Sequence, residues 1–88
     1  MRRTCYFSGN VQGVGFRYTA HNLAQQYEVA GYVRNLPDGR VELVMEGRPE
    51  QLDALMEDIN ERMGGFIHRA TVAESPGTGE FADFGVRY

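Results

Sequence analysis

The residues best suited to chemistry lie in one short stretch, Ser8–Ala20, where three glycines precede an arginine and a predicted helix. Glycines allow successive backbone N–H groups to point into one concavity, and the first N–H groups of a helix have no partners within it. The helix dipole and the planar guanidinium of Arg17 both favour negatively charged oxygens. The stretch predicts a site for a small tetrahedral oxyanion, although a tight strand-to-helix turn without a ligand would use the same glycines.

Two common nucleotide-binding motifs are excluded by the spacing and by the residue types. The dinucleotide fingerprint requires G-x-G-x-x-G, whereas these glycines are spaced G-x-x-x-G-x-G. The phosphate-binding P-loop requires a lysine, and all nine basic residues of this chain are arginine. The absence of lysine also excludes a Schiff-base mechanism. The predicted ligand is therefore smaller than a nucleotide.

The loop must be held by the elements around it, and hydrophobic periodicity locates these elements. Apolar residues recur at helical spacing in two segments, and β-forming or alternating runs occur in five others. The predicted elements are a strand at Arg3–Ser8, a helix from Phe16 to about Tyr27, strands at Val29–Asn35 and Arg40–Gly47 joined by a turn at Leu36–Gly39, a helix from Pro49 to Met63, a strand at about Phe66–Ala73, and a short strand within Phe81–Tyr88.

This order, β-α-β-β-α-β followed by a terminal strand, predicts a ferredoxin-like α+β fold, also called a split βαβ sandwich. We expect an antiparallel sheet with two helices on one face, formed by residues 1–88 as a single domain. The fold alone does not determine a function, because this architecture supports many unrelated activities.

Composition limits the classes of partner. A net charge of −3 argues against a nucleic-acid-binding module, which usually carries a basic surface. No apolar run reaches the roughly 20 residues of a membrane span. The single cysteine, Cys5, cannot form a disulfide within the chain, which fits a reducing compartment. We therefore expect a cytoplasmic monomer with a small-molecule ligand and no nucleic-acid or membrane partner.

Two long segments of the chain closely resemble the acylphosphatase family. "GNVQGVGFR" matches the family pattern G-x-V-Q-G-V-x-F-R, and "GYVRNLPDGRVELVMEG" matches G-x-V-x-N-x-x-D-G-x-V-E-x-x-x-E-G at every fixed position. The resemblance continues through the second helix to the aromatic end of the chain. It implies hydrolysis of acyl phosphates to a carboxylate and inorganic phosphate, with no metal and no cofactor.

The resemblance also implies roles for individual residues. In the family, the backbone of the first loop and its arginine hold the phosphate, which corresponds here to Val11–Arg17 with Arg17 as the catalytic arginine. The catalytic asparagine, which orients the attacking water, corresponds to Asn35. Inorganic phosphate or sulfate would bind at the same place. The loop residues expected to bind the phosphate are Gln12, Gly13, Val14, Gly15, Phe16 and Arg17.

Other reactive residues are expected to have structural roles. His21 lies outside the apolar face of the first helix and is expected at the surface, and His68 has no second metal ligand nearby in the sequence. Cys5 is interpreted as a small core residue. Arg34 is expected to point away from the site, because adjacent residues of a strand face opposite sides of the sheet. Tyr18 could flank the site, but packing is the expected role.

Three non-enzymatic functions are alternatives to the enzyme. A domain that senses an anion would keep Arg17 and would not need Asn35. An RNA-recognition domain would need an aromatic motif on a central strand, and "VELVMEG" lacks one. A domain serving a larger carbamoyl-transfer machine would share the loop, and the length of 88 residues argues against it.

Overall fold

A computed structural model describes residues 1–88 and contains two helices and five strands. In chain order the elements are β1 (Arg2–Gly9), α1 (Phe16–Ala24), β2 (Ala30–Asn35), β3 (Val41–Glu46), α2 (Pro49–Met63), a 3₁₀ turn (Gly64–Phe66), β4 (Ile67–Ser75) and β5 (Phe84–Arg87). The element order predicted from the sequence is confirmed, and most ends differ by one or two residues, as is usual for element boundaries.

The strands form one sheet in the order β4-β1-β3-β2-β5. The prediction of a ferredoxin-like α+β fold is confirmed, and β1 to β4 pair antiparallel as expected. The terminal strand makes the sheet mixed, because β5 pairs parallel with β2. The connection at residues 76–83 leads the chain from β4 at one edge of the sheet to β5 at the other edge. Strand β5 runs opposite to β4 and therefore in the same direction as β2.

The core lies between the two helices and one face of the sheet. Alternate residues of the central strands, such as Phe7 and Leu43, point toward the helices and are fully buried. Apolar positions at helical spacing meet them from the other side, as Phe16 does on α1 and Leu55 on α2. Burial of each such side chain contributes about 1.5–3 kcal/mol to folding. This packing fixes the start of α1, and thus the glycine loop, against the sheet.

The opposite face of β3 is also buried, although the alternation of apolar and charged residues in Arg40–Gly47 is typical of a half-buried strand. Glu42, Val44 and Glu46 are only 6%, 4% and 8% exposed. Part of the cover comes from the connection between β4 and β5, whose Thr78 and Gly79 each donate a backbone N–H to Glu46 at 2.9 Å. The alternation of charged residues along β3 could not reveal a cover contributed from a distant part of the chain.

Two buried glutamates hold this face together. Burial alone would raise the pKa of Glu46, but hydrogen bonds from Gly79, Thr78 and Arg2 lower it to about 2. Glu42 accepts hydrogen bonds from Tyr32 and Tyr6 at 2.9 Å each and from Arg34 at 2.7 Å. These bonds outweigh burial and lower the pKa of Glu42 below its usual range. Both carboxylates therefore serve as buried acceptors that tie strands and connection together.

Candidate active site

The loop between β1 and α1 has the backbone conformation that its glycines permit. Gly13 and Gly15 have φ values of 79° and 80°, in the left-handed region that other residues rarely adopt. A Cβ at either position would meet no neighbouring atom within 4 Å, so the requirement is conformational and not one of space. Gly15 is also the N-cap of α1, and no side chain caps the helix there.

The backbone N–H groups of this loop are available to a ligand. None of the residues Val11–Gly15 donates its N–H to another protein atom. Thr19 is the first residue of α1 to find the carbonyl four positions back, donating to Gly15 at 2.9 Å. Unpaired N–H groups beside an uncapped helix start are a common arrangement for the binding of anions.

Arg17 is the second residue of α1, and its guanidinium is free of carboxylates. Five other arginines form the eight ion pairs of the chain, and Arg17 takes part in none of them. The guanidinium instead lies over the aromatic ring of Tyr88, whose centroid is 4.8 Å from the guanidinium carbon. A half-buried cation stacked on an aromatic face is held in place while its N–H groups stay free for an anion.

Asn35 ends β2, where it is paired in register with Val41 of β3. Its side-chain oxygen Oδ1 is buried and has no hydrogen-bond partner, and no other buried side-chain polar atom of the chain is in that state. Leaving a buried acceptor unpaired costs about 1–3 kcal/mol, so such atoms are rare in folded proteins and call for an explanation. A water or substrate that donates a hydrogen bond to Oδ1 would remove this cost.

These features meet in a pocket of about 210 Å³. Its wall brings Arg17 and Asn35, the two predicted catalytic residues, together with three of the predicted loop residues. The lining residues are Val11, Gly13, Gly15, Phe16, Arg17, Tyr18, Asn35, Val86 and Tyr88. Arg17 is the one charged side chain in this set, and the lining contains no aspartate, glutamate or histidine.

The other predicted loop residues do not line the pocket. The side-chain amide of Gln12 donates to the carbonyls of Leu36 and Arg40, at 2.8 and 3.0 Å, and so ties the loop to the hairpin turn. Val14 is partly buried and packs against the core. A phosphate contact by either backbone N–H stays a prediction.

Two pocket residues, Val86 and Tyr88, were not anticipated from the sequence. They lie at the end of the chain on and after β5, and they reach the pocket because β5 pairs beside β2, the strand that carries Asn35. The aromatic end of the chain was the only local signal. Tyr18, which was expected mainly to pack, is 72% exposed and lines the pocket.

Arg34, Cys5 and His68 all lie outside the pocket, as expected from the sequence. Arg34 pairs with Glu42 on the far face of the sheet, at 2.7 Å from Nε to Oε1, as the alternation of strand residues predicted. Cys5 is fully buried, and burial raises the pKa of its thiol to about 11, which keeps it protonated and unreactive near neutral pH. His68 is exposed on β4, and it is not among the residues that line the pocket.

A family model and curated relatives both match most of this chain. The family model described as acylphosphatase matches residues 3–86. The chain belongs to the acylphosphatase family. An acylphosphatase from Marinobacter nauticus is 46% identical over 78 residues, which cover 88% of this chain and 85% of that protein. The family and this relative together support a hydrolase.

Solved structures of acylphosphatases have the same fold. The crystal structure of acylphosphatase from Bacillus subtilis is 30% identical, with a TM-score of 0.88 and coverage of 99% of this chain and 98% of that one. Full-length HypF, in a phosphate- and nucleotide-bound form, is 28% identical with a TM-score of 0.85, and the match covers 12% of that much longer chain. Neither helix of the present protein is long and apolar enough to cross a membrane.

Proposed function

We propose that this acylphosphatase cleaves the carboxyl–phosphate bond of small acyl phosphates, with the phosphate bound by the loop Val11–Arg17 and the attacking water oriented by Asn35. One observation carries the proposal. The unpaired buried oxygen of Asn35 and the carboxylate-free guanidinium of Arg17 line the same pocket. A site that only sensed an anion would have no use for the unpaired acceptor.

The phosphate is held by groups that are already in place before it binds. The loop N–H groups and the guanidinium of Arg17 donate hydrogen bonds to the non-bridging oxygens. Their positive charge stabilises the negative charge that spreads over these oxygens in the transition state. A single such donor contributes about 2.7–4 kcal/mol in acyl-transfer enzymes. Arg17 carries a full charge, so we expect at least this contribution from it.

Asn35 positions the water without deprotonating it. A side-chain amide accepts a hydrogen bond at its oxygen and donates from its nitrogen, so it can fix both the place and the orientation of one water. Phosphoryl transfer is usually loose, with little bonding to the nucleophile at the transition state. Water in such a reaction needs orientation more than it needs a strong base, which accords with a lining that has no acidic or histidine side chain.

The leaving group explains why no general acid is required. An acyl phosphate releases a carboxylate, whose conjugate acid has a pKa of about 4–5, and this group departs unprotonated at neutral pH. An alkyl phosphate ester releases an alkoxide and needs a metal or an acid. The site is therefore suited to acyl phosphates and poorly suited to alkyl phosphate esters.

The activity test uses acetyl phosphate and benzoyl phosphate as substrates, with a chelator present and no added metal. We expect hydrolysis by the wild-type protein and loss of most turnover in Arg17→Ala and Asn35→Ala, with circular dichroism unchanged. Arg62→Ala and Asn60→Ala are matched controls, because both residues are exposed on α2 and outside the pocket. An inactive wild-type protein would refute the activity, and a fully active Asn35 variant would refute the role of Asn35.

We also propose that residues 1–88 act in the cytoplasm as a single-domain monomer that binds inorganic phosphate or sulfate in the same loop. The support is the fully buried free thiol of Cys5, which fits a reducing compartment, and a pocket lined within one chain. Sedimentation equilibrium at increasing concentration should give the mass of one chain, 9.9 kDa. A mass that rises to twice this value would contradict the monomer.

A further inference from the structure

One wall of the pocket consists of aromatic and aliphatic side chains that carry no charge. Tyr18 and Tyr88 are 72% and 98% exposed, and they are two of the five large hydrophobic residues that the chain leaves exposed. Both line this pocket, with the partly buried Val86 beside them. Exposed apolar side chains that cluster at one pocket indicate a binding site, whereas single exposed apolar side chains are common on any protein surface.

The same wall has no charge to offer a second anionic group. Arg17 is the only charged side chain of the lining, and the proposed function assigns it to the phosphate. Asn10, at the start of the loop, is uncharged and outside the lining, and its N–H donates to the carbonyl of Phe66 at 2.9 Å. An acyl group that carries its own negative charge would therefore find no partner here.

Resting on the proposed function, we propose that Tyr18, Val86 and Tyr88 form a subsite for the acyl group that selects an uncharged aromatic acyl phosphate over small aliphatic or negatively charged ones. Tyr88 already covers Arg17 with its ring, and Tyr18 follows Arg17 directly in α1, so both lie next to the bound phosphate. The pocket of about 210 Å³ is smaller than the roughly 300–1,000 Å³ of sites for drug-sized ligands. A single ring thus suits it better than a larger group.

The test compares kcat/KM for acetyl, benzoyl and 4-carboxybenzoyl phosphate, each divided by its uncatalysed rate of hydrolysis. For the wild-type protein we expect benzoyl phosphate to exceed acetyl phosphate by about tenfold, the combined effect of two aromatic contacts. The 4-carboxybenzoyl compound has the same ring with one added charge, and we expect it to be a poorer substrate than benzoyl phosphate.

Tyr18→Ala is the informative variant, because Tyr88 and not Tyr18 stacks on Arg17. It should lower the benzoyl-to-acetyl ratio by about three- to tenfold, the size expected for loss of one aromatic contact. Val72→Ala is the matched control, since Val72 is 50% exposed on β4, at the sheet edge opposite β5, and should leave the ratio unchanged.

Different results would refute the acyl subsite and the proposed activity. Equal normalised values for benzoyl and acetyl phosphate in the wild-type protein would overturn the acyl subsite and leave the proposed activity standing. A ratio that is unchanged in Tyr18→Ala would do the same. Absence of hydrolysis of all three compounds would overturn the proposed activity together with the subsite that rests on it.

Discussion

Replacement of Asn35 by leucine should separate stability from function. Oδ1 of Asn35 is the one buried side-chain acceptor of the chain that has no partner, and an unpaired buried acceptor costs about 1–3 kcal/mol. Leucine has a similar shape and no polar atom, so it leaves no buried acceptor without a partner. We therefore expect Asn35→Leu to raise the free energy of unfolding by about 1 kcal/mol or more.

For a chain of 88 residues, a gain of 1 kcal/mol corresponds to a rise in Tm of about 4–8 °C. Activity should fall, because the hydrolysis rate should drop by about 10²-fold or more when the attacking water is no longer oriented. Urea unfolding and the hydrolysis of benzoyl phosphate measure the two effects on the same preparation. Asn60→Leu is the control, since Asn60 is exposed on α2 and its replacement should leave activity unchanged.

Two results would refute this reasoning. A loss of more than about 1 kcal/mol in Asn35→Leu, of the size expected when a needed hydrogen bond is removed, would mean that the amide supports the fold. Retention of full activity would mean that Asn35 does not orient the water. A more stable variant without activity is the pattern expected of a residue whose polar group is kept for catalysis at the expense of stability.

Three further predictions follow from the loop and from the covered face of the sheet. Arg17→Lys keeps the charge but loses the planar fork, and kcat for acetyl phosphate should fall by about 10²-fold or more. Gly15→Ala places a Cβ on a residue with φ of 80°, so urea unfolding should show a loss of about 1–2 kcal/mol and isothermal titration calorimetry a weaker phosphate affinity. The pKa of Glu46 is lowered from its ordinary value of 4.5 to about 2, so its contribution to stability is complete above pH 4.5 and is lost as the pH falls toward 2. Glu46→Gln should remove that part of the pH dependence of the urea midpoint, and an unchanged pH dependence would contradict the role given to the carboxylate.

The sequence predicted those parts of the site whose chemistry is local. The glycines before α1 and the arginine near its start lie within a few residues of one another, so a site for a small oxyanion could be predicted from this one segment. Asn35 required the motif of the hairpin, because a lone asparagine at a strand end also suits an ordinary turn. Its unpaired oxygen could be recognised only with its surroundings in place.

The missed features all depend on the return of the chain across the sheet. Local patterns predicted a strand near Phe84 but not its neighbour, so the parallel pairing with β2 and the arrival of Val86 and Tyr88 at the pocket were not anticipated. The burial of Glu46 has the same origin, since its partners Thr78 and Gly79 are more than 30 residues away. Long-range contacts of this kind are set by tertiary packing and leave little trace in a short window of sequence.

The binding of phosphate by the glycine loop is tested most directly by ¹⁵N-resolved NMR during titration with inorganic phosphate. We predict saturable shifts that are largest at the backbone amides of Gly13, Gly15 and Arg17 and at Nε of Arg17, and that are absent in Arg17→Ala. Shifts centred on another part of the chain, or a loop that stays unchanged at saturating phosphate, would contradict the account.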